Sequence, residues 1–340
     1  MRPVAGTQSV SFAPPVLATT RAPAPPEFDP TYGYSLSELG RVQPPFAPPD
    51  FAAFWSPRYA RAVAIPPRLS LSPPKRTGDF AVHVAHFDGV GGTRLGGWLA
   101  LPVSGAARDG VVSVHGYGGR EAPTAAELAR YAPTTAVLFP CIRGFGLSID
   151  PSIPGDSTKH VVHGIESRET YALGGSVADI WSATGALLAA VPATRQRLIL
   201  EGASFGGGIG ILALAWDKRF AKAYFEVPTF GHQPLRMRLP TFGSANAVQE
   251  YIAKSGRPAN VYRTLGYFDA GAAARLVTTP TLVAAALSDA LVAPPGQFAV
   301  YNALAGRKDL FVMSLGHADL PPAEARRLAA KREAWLTRWA

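Results

Sequence analysis

The chain has 340 residues, 47% of them hydrophobic, which is enough apolar material for one large buried core. Its net charge of +9 is carried by scattered side chains, and only 17% of residues are charged, so a solvated basic surface is expected rather than a nucleic-acid footprint. No apolar run reaches the roughly 18 residues a membrane-crossing helix needs, and the single cysteine, Cys141, excludes an intrachain disulfide.

Residues 1–33 are rich in proline and alanine, with little charge or periodicity, the composition of a flexible leader. They contain no compact apolar stretch that could serve as a signal-peptide core, and a cytoplasmic location is the corresponding expectation. Residues 34–340 read as a single domain. Half of the 32 prolines fall before residue 80, so its first part is expected to wrap the core as loops around short helices. One such helix is predicted over residues 49–62, where Phe51, Phe54, Trp55 and Tyr59 share a face. The segments 81–87 and 94–101, on either side of a glycine-rich turn, predict a β-hairpin. Short apolar strands then alternate with helix-length stretches, at 111–114, 136–139, 197–200, 221–225, 280–285 and 309–313. That rhythm predicts an α/β fold with a mostly parallel central sheet, helices on both faces, and active groups at the carboxyl ends of the strands. Cys141, just past one of these strands, reads as a small buried hydrophobe. In the last segment Arg326, Arg327, Lys331, Arg332 and Arg338 interleave with Leu328, Trp335, Leu336 and Trp339, which predicts an amphipathic helix with its basic residues in solvent.

The chemistry is concentrated in Gly202-Ala203-Ser204-Phe205-Gly206, entered from an apolar strand and left into a small-residue helix. A G-x-S-x-G at such a junction is a nucleophile elbow, in which the glycines remove side chains that would collide and the serine hydroxyl is pushed out at the sheet edge. Ser204 is the candidate nucleophile. A hydroxyl needs a base to take its proton, and a carboxylate to hold that base in one tautomer. His317 lies just past the last strand and Asp289 just past the preceding one, 28 residues earlier. The order Ser, Asp, His is that of an α/β-hydrolase. His115-Gly116-Tyr117-Gly118-Gly119 follows the first parallel strand, where such a fold supplies one oxyanion-hole amide. The backbone N–H groups of Tyr117 and Phe205 are therefore the candidate donors. The bulky Phe205 side chain is expected near the site entrance, where with Tyr117 it would narrow the room around an acyl group.

Other chemistries fare worse. His83 and His86 fall on a strand, and His160 and His163 in a Pro/Gly-containing loop, so neither H-x-x-H pair has a metal-binding setting, and no H-E-x-x-H is present. The glycine run after Ser204 completes neither G-x-G-x-x-G nor a Walker A motif. No cofactor is expected. A peptidase, a longer-chain esterase, or a hydrolase fold turned to binding are the alternatives. The last would have no use for Ser, Asp and His together.

From about Tyr34 onward the sequence resembles carbohydrate esterase family 7, the acetyl xylan esterase and cephalosporin-C deacetylase group. The resemblance is carried by residues 35–39, 51–55, 115–120, Arg143-Gly144-Phe145-Gly146, 164–179, 202–208, Val227-Pro228, 263–269, 289–302 and Gly316-His317. It implies an α/β-hydrolase that removes acetyl groups from small acetylated substrates, with Ser204, Asp289 and His317 as triad, Phe145 and Pro228 lining the substrate, and a ring-like homohexamer. The chain departs from the family pattern at Phe205 and Phe145, where glutamine is usual, and at Cys141, where aspartate is frequent.

Overall fold

The computed structural model describes residues 28–339. Most of the expected leader therefore lies outside the described residues. One ten-stranded sheet organises the rest: β1 (Ser70–Leu71), β2 (Lys75–Thr77), β3 (Phe80–Asp88), β4 (Arg94–Pro102), β5 (Asp109–Val114), β6 (Thr135–Pro140), β7 (Leu198–Ala203), β8 (Lys222–Glu226), β9 (Thr281–Ala286) and β10 (Lys308–Met313). Their order is β1-β3-β4-β6-β5-β7-β8-β9-β10, with β2 added on β3. Strands β5 to β10 are mutually parallel, and the β3/β4 hairpin joins them antiparallel through β4 and β6.

The sequence dictates this layering. Strands β5, β6 and β9 are buried at all six positions, as parallel strands covered on both faces must be. Successive residues alternate between two cores: Val112 and Leu138 belong to one, Val111 and Val137 to the other. The larger core lies under the helices Phe51–Ala64, Ala172–Ala190 and Phe205–Leu214. In the first of these Phe51, Phe54 and Trp55 are buried as their spacing predicts, and the Trp55 indole donates to the Tyr267 carbonyl at 3.0 Å. The smaller core lies under the terminal helix Pro322–Thr337, through Leu328 and Leu336.

That helix departs from expectation at one residue. Arg326, Arg327 and Arg338 are exposed, but Arg332 is buried and pairs with Glu201 at 2.6 Å. Cys141 is buried as read. The two H-x-x-H pairs also separate. His83 and His86 occupy β3, with His83 Nδ1 bonded to the Ser72 carbonyl, whereas His160 closes a one-turn helix, Ser157–His160, capped by Asp156, where a loop was expected. Among the described residues no three His, Cys, Asp or Glu side chains converge as a metal-binding group.

Candidate active site

At the end of β7 the chain reverses at Ser204, whose φ of +53° and ψ of −115° are sparsely populated by residues with a side chain. Two glycines permit the turn. A Cβ on Gly202 would come within 2.6 Å of the Gly206 backbone, and one on Gly206 within 2.5 Å of the Val114 carbonyl oxygen, so strand and helix close on each other only where both lack side chains. The strained residue is pinned from its neighbours: its amide donates to the Glu226 carbonyl at 2.9 Å, and its carbonyl accepts from the Thr229 amide at 3.1 Å.

The last two strand ends bring the partners. His317 follows β10 and is itself left-handed, with φ +51°. Its Nε2 lies 2.9 Å from Ser204 Oγ and its Nδ1 2.8 Å from Asp289 Oδ2, a continuous serine–imidazole–carboxylate chain. Asp289, 1% exposed, accepts three further hydrogen bonds, from the Leu291 and Val292 amides and from Gln297 Nε2 at 3.0 Å. Gln297 in turn accepts from the Ala286 amide, which fixes its orientation. Sequence reading did not single it out; its only signal is its place at the start of the helix Pro294–Ala303, eight residues after Asp289. From the far side, Pro30 accepts the Asp289 amide, so the last residues of the expected leader brace this loop.

The electrostatics favour a charged imidazole. Burial pulls the His317 pKa down, but the charge and hydrogen bond of Asp289 outweigh it, Glu226 adds to them, and the net shift is upward from 6.5. Glu226, the last residue of β8, is a second group the sequence did not reveal.

The Tyr117 and Phe205 amides donate to no acceptor among the described residues. Their rings stack, with centroids 4.0 Å apart and planes 18° from parallel, so the two loops that carry these amides are joined side chain to side chain. Phe205 is fully buried against Tyr117, His115, Phe145, His160 and Phe230. This corrects the expectation that it would stand at the entrance: the side chain turns inward into the aromatic cluster. Phe145 is buried in the same cluster, and Pro228 is buried against Gly207 beneath the elbow helix. His115 anchors the Tyr117 loop. Its Nε2 accepts from the Ile142 amide at 3.0 Å, so Nδ1 carries the proton it gives to the Gly116 carbonyl. Burial lowers its pKa to about 4, which keeps the ring neutral. His160, packed against the Tyr117, Phe145 and Phe205 rings, is pulled to about 4 for the same reason, with repulsion from neighbouring cations added.

A strained serine at a strand–helix elbow, hydrogen-bonded through histidine to a buried aspartate in a mostly parallel sheet, defines a serine hydrolase of α/β-hydrolase fold. The acetyl xylan esterase (AXE1) family profile matches residues 33–333, and the chain belongs to that family. It is a serine carboxylesterase that hydrolyses acetyl esters. Among solved structures, the chain is similar to an acetyl xylan esterase from a Paenibacillus species, with 26% identity, a TM-score of 0.80, and coverage of 89% of this chain and 100% of that one. An acetyl xylan esterase from a Thermoanaerobacterium species shares the fold at 21% identity and a TM-score of 0.80, over 92% of this chain and 100% of that one. The acylaminoacyl peptidase of Pyrococcus horikoshii shares it more distantly, at 17% identity and a TM-score of 0.60, over 78% of this chain and 43% of that one.

Proposed function

We propose that the enzyme deacetylates small acetylated carbohydrates and related acetates, such as acetylated xylo-oligosaccharides and cephalosporin C, with Ser204 as nucleophile, His317 as base and Asp289 as its orienting carboxylate. The observation that carries this reading is the His317 Nε2–Ser204 Oγ distance of 2.9 Å, in a histidine whose other nitrogen is held by Asp289. Ser204 Oγ attacks the acetyl carbonyl while His317 takes its proton. The Tyr117 and Phe205 amides receive the developing oxyanion, each donor worth on the order of 3 kcal/mol of transition-state stabilisation. His317 then protonates the departing alcohol, and water, activated by the same imidazole, releases acetate from the serine. The tyrosine–phenylalanine stack supports this role, because donors fixed before the reaction need no rearrangement during it.

The test is a set of folded variants on an aryl acetate and an acetylated xylo-oligosaccharide. Ser204→Ala and His317→Ala are expected to lose at least about 10³-fold in kcat, with Asp289→Asn also severely impaired. A folded Ser204→Ala protein that kept a substantial share of the wild-type rate would refute the assignment. Across aryl esters kcat/KM is expected to fall from acetate through butyrate to octanoate; a rising series would make the enzyme a longer-chain esterase instead.

A further inference from the structure

Beside the Asp289 loop lies a narrow cleft of about 20 Å³, open at its mouth and walled by Phe230, Leu235, Arg236, Thr241, Leu291 and Val292. It adjoins the site at both ends. Phe230 follows Thr229, whose amide holds the Ser204 carbonyl, and its ring meets Tyr117 edge-on at 6.5 Å, while the Leu291 and Val292 amides hold Asp289. The one charged group in its wall is Arg236, at the end of the helix Gln233–Arg236.

Arg236, half-buried, is held differently from the arginines that pair with carboxylates. Arg143, Arg219 and Arg332 each pair with a carboxylate at 2.6 Å. The guanidinium of Arg236 has no ion-pair partner among the described residues; its hydrogen bonds go to neutral oxygens, Gln233 Oε1 at 3.3 Å and Ser244 Oγ at 3.4 Å, and it rests over the Phe230 ring. The carboxylate whose charge reaches it, Asp269, is already engaged by the His232, Gln233 and Ala272 amides. A guanidinium removed from water without a counter-ion is costly, and its fork fits a carboxylate better than it fits a lone amide or hydroxyl oxygen.

We propose that Arg236 receives a carboxylate of the substrate, so that this esterase prefers acetates whose alcohol portion is an organic acid, sugar acids foremost. The inference rests on the acetyl-esterase reading: an acetyl group carries no carboxylate, so the anion belongs to the alcohol. A carboxylate at Arg236 ties down the leaving group while the ester carbonyl lies between Ser204 and the Tyr117 and Phe205 amides. Because that contact exists both before and during acylation, the preference falls mainly on KM.

The test compares an acetylated methyl glucuronoside with the equally acetylated methyl glucoside, which differ by a carboxylate in place of a hydroxymethyl group. In the wild type at low salt the acid is expected to have the higher kcat/KM, by about tenfold, the selectivity of one charge-assisted bidentate contact. That ratio should collapse toward one in Arg236→Gln, remain intermediate in Arg236→Lys, and decline in the wild type as salt is raised. A wild-type ratio near one, or an equal ratio in folded Arg236→Gln, would overturn the proposal and leave Arg236 as a tie between two helices. Should neither variant fold, the salt series on the wild type decides, and a ratio indifferent to salt also overturns it. Equal preference for an aryl hemisuccinate over an aryl acetate would overturn it too, by placing the anion on the acyl side. The glucoside arm reports separately on the esterase reading: its hydrolysis by the wild type, lost in Ser204→Ala, stands whatever the acid-to-neutral ratio.

Discussion

Two carboxylates set when His317 can work as the proposed base. As a base it must be neutral, and Asp289 and Glu226 together hold its pKa above 6.5, so kcat/KM is expected to fall as pH drops through a value above 6.5. Asp289 cannot be probed for this without destroying the hydrogen-bonded chain, but Glu226 can. Glu226→Gln keeps the backbone carbonyl that holds the Ser204 amide and the side-chain oxygen that accepts from Tyr224, while removing the charge. The acid limb of its kcat/KM profile is expected to move to lower pH, with the plateau little changed. An acid limb at the same pH in wild type and variant would show that Glu226 does not act on the imidazole. Ser204, Asp289 and His317 could be picked from sequence because each sits in a short motif at a strand end, and the chemistry demands their types. Glu226 and Gln297 could not be picked that way, since a polar residue closing a strand or opening a helix carries no signal of what it faces.

At the scale of elements, the terminal helix presents the plainest contrast between pattern and packing. A 3.6-residue period finds the helix and its Leu328–Leu336 face, but treats every arginine alike. Arg332 turns inward because Glu201, 131 residues earlier and three before the nucleophile, waits in the core with Tyr131 hydrogen-bonded to it. The pair is 4% and 7% exposed at its side chains, so removing one partner strands the other. Arg332→Ala is expected to cost about 3–5 kcal/mol of stability, whereas Arg332→Met combined with Glu201→Leu should recover much of it. Thermal unfolding of the single and double variants checks this, and a double variant no better than the single would locate the cost in lost packing. The elbow, by contrast, was fully legible, because strand, glycines, serine and helix are contiguous in sequence and steric necessity fixes each of them.

For the whole molecule, buried imidazoles govern the acid side of stability. His115 and His160 have folded pKa values near 4, below their unfolded 6.5, so the stability they represent is present above pH 6.5 and is lost as pH falls through about 4. Asp269, raised to about 6, works in the opposite sense: its contribution is present below pH 3.8 and is lost as pH rises through about 6. Replacing His160 by phenylalanine places an apolar ring among the rings of Tyr117, Phe145 and Phe205. The melting temperature of His160→Phe is therefore expected to exceed that of the wild type at pH 5 and to change less between pH 7 and 5; parallel curves would reject the account. The assembly belongs to this scale as well. Phe46 and Ile149 stand 87% and 77% exposed, apolar surface that a homo-oligomer would cover, and light scattering at micromolar concentration is expected to give a multiple of the 35.9 kDa chain, six being the proposed number. A mass of one chain would remove that proposal.

The stack of Tyr117 on Phe205 bears on how such a sequence can drift. The two residues sit 88 positions apart, each carrying one of the two amides proposed as oxyanion donors, and each ring is the other's packing surface. A smaller side chain at either position opens a void against its neighbour and loosens both loops at once. Exchange of the pair for another matched couple must therefore pass through an impaired intermediate or occur in concert. Descendants of this chain should keep the two aromatics together or lose them together, so that the history of the site is written in a pair of side chains packed on each other.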